Sequence, residues 1–327
     1  MKKPPKNLFK GYTLLLISTL IWGVATPVIK YTLNYIPPFT FLFLRFLIAT
    51  IIFFPYTVYE IQKVKIDRRD YLNFFLLGVF SQTSLALLFV GLDYTTAIDQ
   101  TVIGILGSIL LIVTGNYFYK EKISKRVKIG LVISTIGTIL VVLEPILSGH
   151  HGLKITERIL GNGLSLIYNV SWVIFIVWSR MSMGDRSKLL KKDFSFIHIK
   201  PMHKIYSPTL ITSISVLVGM ITIAPLSLLE TLGFIGSNQN FNLTSPNGII
   251  GLLYMSVFST VIAYTTHQKS IKYVKVSDAA FFGYLSPIFT LPVAYLLLGE
   301  TPNIFVIIGA ILILSGVFIA EKSDESS

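Results

Sequence analysis

Residues 277–320 read SDAAFFGYLSPIFTLPVAYLLLGETPNIFVIIGAILILSGVFIA, with Asp278 and Glu300 as their only charged side chains. Two apolar blocks, Ser277 to Leu298 and Pro302 to Ala320, flank the short break at Gly299, Glu300 and Thr301. Each block is about 20 residues long, the length an α-helix needs to cross a ~30 Å hydrocarbon layer. In lipid every backbone N–H and C=O must find its partner inside the protein, so blocks of this length read as helices. A barrel strand would need only about half as many residues.

Eight more blocks of this kind precede them: Gly11 to Lys30, Pro38 to Tyr59, Tyr71 to Leu92, Ala97 to Tyr119, Val127 to Leu143, Ile159 to Ser179, Thr209 to Leu229 and Gly248 to Gln268. The expected fold class is therefore an all-α polytopic membrane protein of ten transmembrane helices. Composition agrees, since 53% of the 327 residues are hydrophobic and 13% charged, against about 25% charged in soluble domains. A net charge of +12 invites a nucleic-acid reading, but the placement of the charges argues against one. Of the 28 Lys and Arg, all except Lys30, Arg45, Lys154 and Arg158 fall in alternate connections and tails. This is the positive-inside pattern, and it puts both termini and the basic segment 181–206 in the cytoplasm of a cell-membrane protein. The partner this implies is the lipid bilayer, with no nucleic acid. A signal peptide is a poorer reading of the N-terminal run, which is long and lacks an A-x-A-like site. With no Cys in the chain, there is no disulfide framework, thiol nucleophile or thiolate metal site.

The chain also repeats itself. A shift of 179 residues aligns Tyr94 with Tyr273, Asp99 with Asp278, Gly104 with Gly283, Glu121 with Glu300, Gly130 with Gly309 and Gly137 with Gly316. A shift of 150 aligns Gly11 with Gly161, Trp22 with Trp172 and Lys30 with Arg180. The difference places extra chain between helices six and eight, with 181–206 as the expected insertion. The resulting division is an N-terminal segment 1–10, a first repeat 11–143, an outer linker 144–158, a second repeat 159–320 and a tail 321–327. With five helices in each half, the second half must run opposite to the first, as in transporters whose site lies at mid-membrane between inverted repeats.

The segment from Tyr284 to Glu300, with Gly309 and Gly316 behind it, resembles the closing repeat of EamA-type transporters of the drug/metabolite transporter superfamily. Trp22-Gly23 with Lys30, and Arg45-Phe46-Leu47-Ile48-Ala49, resemble the openings of that family's first two helices. The resemblance implies two inverted five-helix EamA repeats, a central cavity open to alternate sides, and export or exchange of amino acids or other small metabolites. Pro287 departs from symmetry, because its counterpart in the first repeat is Ser108, preceded by Gly107. The helix bend that Pro287 suggests in the second half need not recur in the first.

No acid falls at mid-depth in any expected helix, so a carboxylate proton relay is not visible, and the acid-free first helix disfavours a cationic substrate. Arg45 is the exception among basic residues, about 10 Å inside the outer end of helix two at ~1.5 Å per residue. A charge at that depth is costly enough to mark function unless it snorkels or ties helices together. The mid-depth aromatic and amide residues Trp22, Gln82, Tyr168, Trp172, Tyr264 and Tyr284, together with Arg45, form the expected substrate-binding set. Singly each suits helix packing; together they suit a small anionic or zwitterionic metabolite with an apolar body. Gly107, Ser108, Glu121, Pro287, Glu300, Gly309 and Gly316 are the expected structural or hinge positions. His267 is a further candidate, as a proton carrier near the inner end of helix eight. No cofactor or metal is expected, and there is no Walker motif for ATP. The competing classes are a membrane enzyme, disfavoured by the lack of a buried acid pair, nucleophilic Cys or metal cluster; a non-transporting receptor or partner subunit; and a carrier of nucleoside- or sugar-type metabolites.

Overall fold

The computed structural model describes residues 6–119, 124–142, 154–184, 202–236, 242, 244–274 and 276–321. Glu121, His150, His151 and residues 185–201 lie outside them. The described residues contain no strand. The helices are α1 (Lys6–Thr32), α2 (Pro38–Val64), α3 (Tyr71–Gly78), α4 (Leu85–Tyr94), α5 (Ala97–Tyr119), α6 (Lys125–Val142), α7 (Ile155–Ser182), α8 (Pro208–Thr231), α9 (Pro246–Leu253), α10 (Tyr264–Ser270), α11 (Val276–Gly283), α12 (Ser286–Leu298) and α13 (Ile304–Glu321).

Helices α3 and α4 form one rod through the π-helical turn Val79–Thr83, and α9 and α10 another through π-helical Tyr254–Ala263. The sequence pattern shows a continuous apolar run in both places and gives no sign of this widening. Seven of the rods are long and apolar enough to cross a membrane, namely α1, α2, α3–α4, α5, α7, α8 and α9–α10. Apolar stretches in α6, α12 and α13 are shorter.

Local chemistry sets several of the ends. Proline, whose missing N–H costs nothing in a first turn, opens α2, α8 and α9. Ser207 caps α8, its Oγ accepting from Leu210 N–H at 3.2 Å. Gly299, at φ +65°, closes α12 in the left-handed conformation that costs a side-chain-bearing residue most. Pro287 lies in the first turn of α12, where it starts a new helix after the break at Tyr284 and Leu285. In contrast, α5 runs through Gly107 and Ser108 unbroken.

Lipid gives apolar side chains no incentive to leave it, so helices here associate by close approach and polar ties. In the α6–α13 pair a Cβ on Gly137 would lie 2.6 Å from Gly309 O, and one on Gly316 would collide with Gly130 O and Ser134. The two helices are thus antiparallel and touch backbone to backbone at both ends of the seam. Helices α2 and α8 are antiparallel as well. The Glu230 carboxylate at the end of α8 accepts from Phe39 N–H at 3.2 Å and Thr40 N–H at 2.7 Å in the first turn of α2. At the opposite end Ser207 Oγ donates to Glu60 at 3.1 Å.

Ile51, Phe54, Leu72, Ile129, Leu228 and Leu296 are exposed on the outside of the bundle, where lipid would cover them. A Leu or Ile gains about 0.5 kcal/mol on insertion, so one mid-helix Arg, at about 3 kcal/mol, would cancel roughly six of them. Arg45 avoids that cost by turning inward and is 1% exposed.

Candidate functional site

A cavity of about 200 Å³ lies along α1 and is walled by α2, α4, α5, α7, α10, α11 and the π stretch before α10. At ~30 Å³ per liquid water it holds roughly seven waters, or one molecule of amino-acid size. Among the described residues its charged side chain is Arg45, and no Asp or Glu lines it.

Arg45 owes its position to α2 packing against the π stretch. Its Nε–H donates to Thr260 Oγ1 at 2.6 Å and its Nη2 to Ser259 Oγ at 3.4 Å, while Nη1 is buried with no hydrogen-bond partner. The rings of Phe46 and Phe89 each lie 5.7 Å from the guanidinium carbon. The π geometry matters here because a widened turn presents consecutive residues inward. Thr260 Oγ1 also donates to Met255 O, five residues back, and so satisfies a carbonyl of the widened helix. The outcome is a desolvated cation held by two neutral hydroxyls, with one N–H group left for a ligand.

Below Arg45 the wall is aromatic. Trp22, Trp172 and Tyr264 meet edge to face, with centroids 5.0 Å apart for Trp22–Tyr264, 5.4 Å for Trp22–Trp172 and 5.6 Å for Trp172–Tyr264. Such pairs are worth about 1 kcal/mol each beyond the area they bury. Trp22 Nε1 donates to Ser259 O at 3.2 Å, which ties the first helix to the same π stretch that holds Arg45. Tyr168 and Tyr264 both line the cavity, while the Gln82 amide is buried with no hydrogen-bond partner. Gly107 leaves room for Asn169, whose Oδ1 would stand 2.7 Å from a Cβ there.

One end of the cavity is tied as well. Near the C-terminus of α1, Lys30 Nζ donates to Leu92 O and Asp93 O at the end of α4. Arg158 of α7 pairs with Asp99 of α5 at 2.6 Å, and both are buried. The Glu300 carboxylate accepts from Ala97 N–H at 3.1 Å and Ile98 N–H at 3.2 Å, capping α5. Burial pushes the Glu300 carboxyl above the usual carboxylate range, against the opposing pull of those two donors. These groups surround a second space of about 370 Å³ lined by Asp99, Arg158, Glu300 and Asn303.

Of the residues expected to bind substrate, Trp22, Arg45, Tyr168, Trp172 and Tyr264 line the cavity. Gln82 is fully buried behind Tyr264, and Tyr284 is packed in the apolar core. Gly107 and Ser108 line the cavity too, whereas Pro287, Glu300, Gly309 and Gly316 lie elsewhere. Sequence reasoning left Ser259, Thr260, Gln100, Asn169 and His267 out of the binding set. His267 had a visible signal, three residues after Tyr264 and so on the same helix face. Ser259 and Thr260 had none, because their joint inward placement depends on the π stretch.

The sequence profile of the EamA-like transporter family matches residues 9–143 and 194–321. The chain is similar to a protein of Archaeoglobus fulgidus described as an uncharacterized transporter, 26% identical over 95% of this chain and 96% of the other. It is similar to a Bacillus subtilis uncharacterized transporter at 24% identity, covering 94% and 92%. A Salmonella typhimurium protein described as a probable amino-acid metabolite efflux pump is 24% identical over 94% of this chain and 93% of its own. Among solved structures, one crystal structure shares the fold with a TM-score of 0.61 at 17% identity, covering 98% and 99% of the two chains.

Proposed function

Since the chain belongs to the EamA-like transporter family and is a multi-pass membrane transporter, we propose that it carries small carboxylate-bearing metabolites by alternating access. The observation that carries this reading is Arg45: a fully buried guanidinium beside a mid-bundle cavity that no acid lines among the described residues, with Nη1 unpartnered. A cation entering there would lose its hydration and meet a like charge. A carboxylate would exchange its water for charge-assisted hydrogen bonds. The aromatic wall suits an apolar body, and the efflux-pump relatives support an amino-acid-like scale and outward direction.

The architecture we propose is ten transmembrane helices in two inverted halves, 11–143 and 159–320, with 1–10, 181–206 and 321–327 cytoplasmic in the cell membrane. Its support is reciprocal packing. The seam contact of Gly137 with Gly309 recurs as Gly316 with Gly130, the same two positions exchanged under the shift of 179. Gly161 packs on Gly91 and Thr95, as Gly11 packs on Ser270 and Val274, which are their counterparts under shifts of 150 and 179. Contacts that exchange partners in this way are what a two-fold axis in the membrane plane produces.

Counterflow into proteoliposomes with a panel of amino acids, 2-oxo acids, nucleosides and sugars tests the reading. Accumulation of labelled carboxylates driven by unlabelled ones supports it. Accumulation confined to nucleosides or sugars favours the alternative carrier class, and no counterflow by folded protein supports a receptor or partner role.

A further inference from the structure

His267 lines the same cavity as Arg45 and brings an imidazole, a group able to bind one proton, to its wall. It is 7% exposed, its Nδ1 is buried with no hydrogen-bond partner, and its ring lies between Trp22 and Trp172 at centroid distances of 5.0 and 5.4 Å. It stands seven residues beyond Thr260, which holds Arg45, so the two groups are about 10 Å apart along the helix axis at ~1.5 Å per residue.

The groups around it offer no counterion. On its own helix the neighbours are the phenol of Tyr264 and the ammonium of Lys269. On α1 they are Trp22 and, lower down, Lys10, which lies over the Tyr273 ring. On α7 they are Tyr168, Trp172 and Arg180, and the one acid of α8, Glu230, is bound at the far end to α2. Among the described residues no carboxylate faces the imidazole. A proton added to the empty site would therefore create a second cation beside Arg45, with no anion lining the cavity among the described residues. A bound carboxylate removes that obstacle.

We propose that His267 is the proton-binding residue of the carrier, and that the substrates it serves are net anions that cross together with one proton. The inference rests on the carrier reading and narrows it. With the substrate carboxylate on Arg45, the imidazole lone pair takes a proton from the water to which the cavity is open. On the other side the carboxylate leaves, the Arg45 charge is again uncompensated, and the proton returns to water. No bond to the substrate forms or breaks, and nothing is oxidised or reduced. Because binding linkage is reciprocal, the proton tightens anion binding by the same factor by which the anion tightens proton binding.

The test needs no knowledge of the natural substrate. Trp22 and Trp172 are two of the three tryptophans of the chain and both adjoin the imidazole, so protonation of His267 quenches their fluorescence. Full-length protein in nanodiscs is titrated from pH 8 to pH 4, alone, with 4-methylpentanoate and with its uncharged amide. Two unit charges ~10 Å apart at an effective dielectric of ~20 shift each other's protonation by about one pH unit. The expected result is a quench whose midpoint rises by about one pH unit with the carboxylate and stays put with the amide. His267→Gln should abolish the quench, and Arg45→Gln should keep it but remove the carboxylate's effect. An unshifted midpoint overturns the proposal, as does a wild-type titration in folded His267→Gln or a carboxylate effect surviving in Arg45→Gln. Counterflow that persists alongside any of these results leaves the carrier reading standing; loss of counterflow is what overturns that reading.

Discussion

Arg45 and Thr260 are 215 residues apart in sequence, yet the Arg45 Nε–H donates to Thr260 Oγ1 at 2.6 Å inside the bundle. The contact joins the second helix of one half to the π stretch in the other and fixes which guanidinium nitrogen is left for a ligand. Thr260→Val keeps the shape and removes the acceptor. A hydrogen bond to a charged group is worth about 1.5–3 kcal/mol, so carboxylate affinity should fall by at least tenfold while the amount of folded protein holds. Concentration-dependent counterflow reads the first and size-exclusion recovery the second. Equal loss in both would assign Thr260 to packing.

Trp172 touches Trp22, Tyr264, Phe175 and His267, and Gln82 is fully buried with its amide unpartnered. Trp172→Ala and Gln82→Ala should each lower substrate affinity more than they lower folded protein, Trp172→Ala by the larger margin. A loss of folded protein without a change in affinity for the remainder would make both residues packing elements.

The α6–α13 seam has no space for side chains at Gly137 and Gly316. Overpacking costs about 1–3 kcal/mol per site, so Gly137→Leu and Gly316→Leu should sharply reduce folded protein. Gly104, where a Cβ would meet nothing within 4 Å, should accept Ala. Thermal stability in detergent measures the difference, and equal tolerance at all three positions would contradict the packing described.

Much of this architecture was legible from hydropathy, because a bilayer imposes one length on every crossing element. The proposed repeat rests in the sequence on Glu121, Glu300 and the paired glycines, where the spacing is strict. It was missed in α2 and α8, where a shift of 170 pairs Pro38, Pro55 and Glu60 with Pro208, Pro225 and Glu230. In the proposed repeat this assigns about 20 of the extra residues to the segment between α7 and α8, and the remainder to the next connection. The site was legible in part. Trp22, Tyr168, Trp172 and Tyr264 are large and mid-depth, and depth alone predicts that they face inward. Gln82 and Tyr284 have the same depth but lie behind the cavity wall, since rotation about a helix axis is set by packing. The π stretches, which bring Ser259 and Thr260 to Arg45, left no trace in the apolar pattern.

Asp70 is fully buried and accepts from His203 N–H at 2.8 Å, Lys204 N–H at 3.3 Å and Tyr206 OH at 2.6 Å, tying the segment before α8 to the start of α3. Burial and the bond to Asp70 push the Tyr206 phenol up from its usual value. A folded-state value above the unfolded one means this contribution to stability is whole below about pH 10 and is lost as pH climbs past it. Melting temperatures of wild type should therefore decline above pH 10, and those of Tyr206→Phe should decline less. An identical alkaline decline in the two proteins would contradict the assignment.

The positive-inside distribution predicts both termini on one side and the connection between α8 and α9 on the other. Reporter fusions after Ser327 and after Gly236 should therefore disagree in compartment. Agreement between them would mean that the number of crossings is wrong.

In the proposed carrier one buried guanidinium with an unpartnered Nη1 selects the substrate, and competition counterflow with two Arg45 variants measures that selection. With a labelled carboxylate metabolite as reporter, wild type should be inhibited by unlabelled carboxylates and little by lipophilic cations. Arg45→Lys, which keeps the charge but not the fork of donors, should retain part of the transport, and Arg45→Gln should lose most of it at equal folded protein. Full transport by folded Arg45→Gln, or inhibition by lipophilic cations as strong as by carboxylates, would contradict the account.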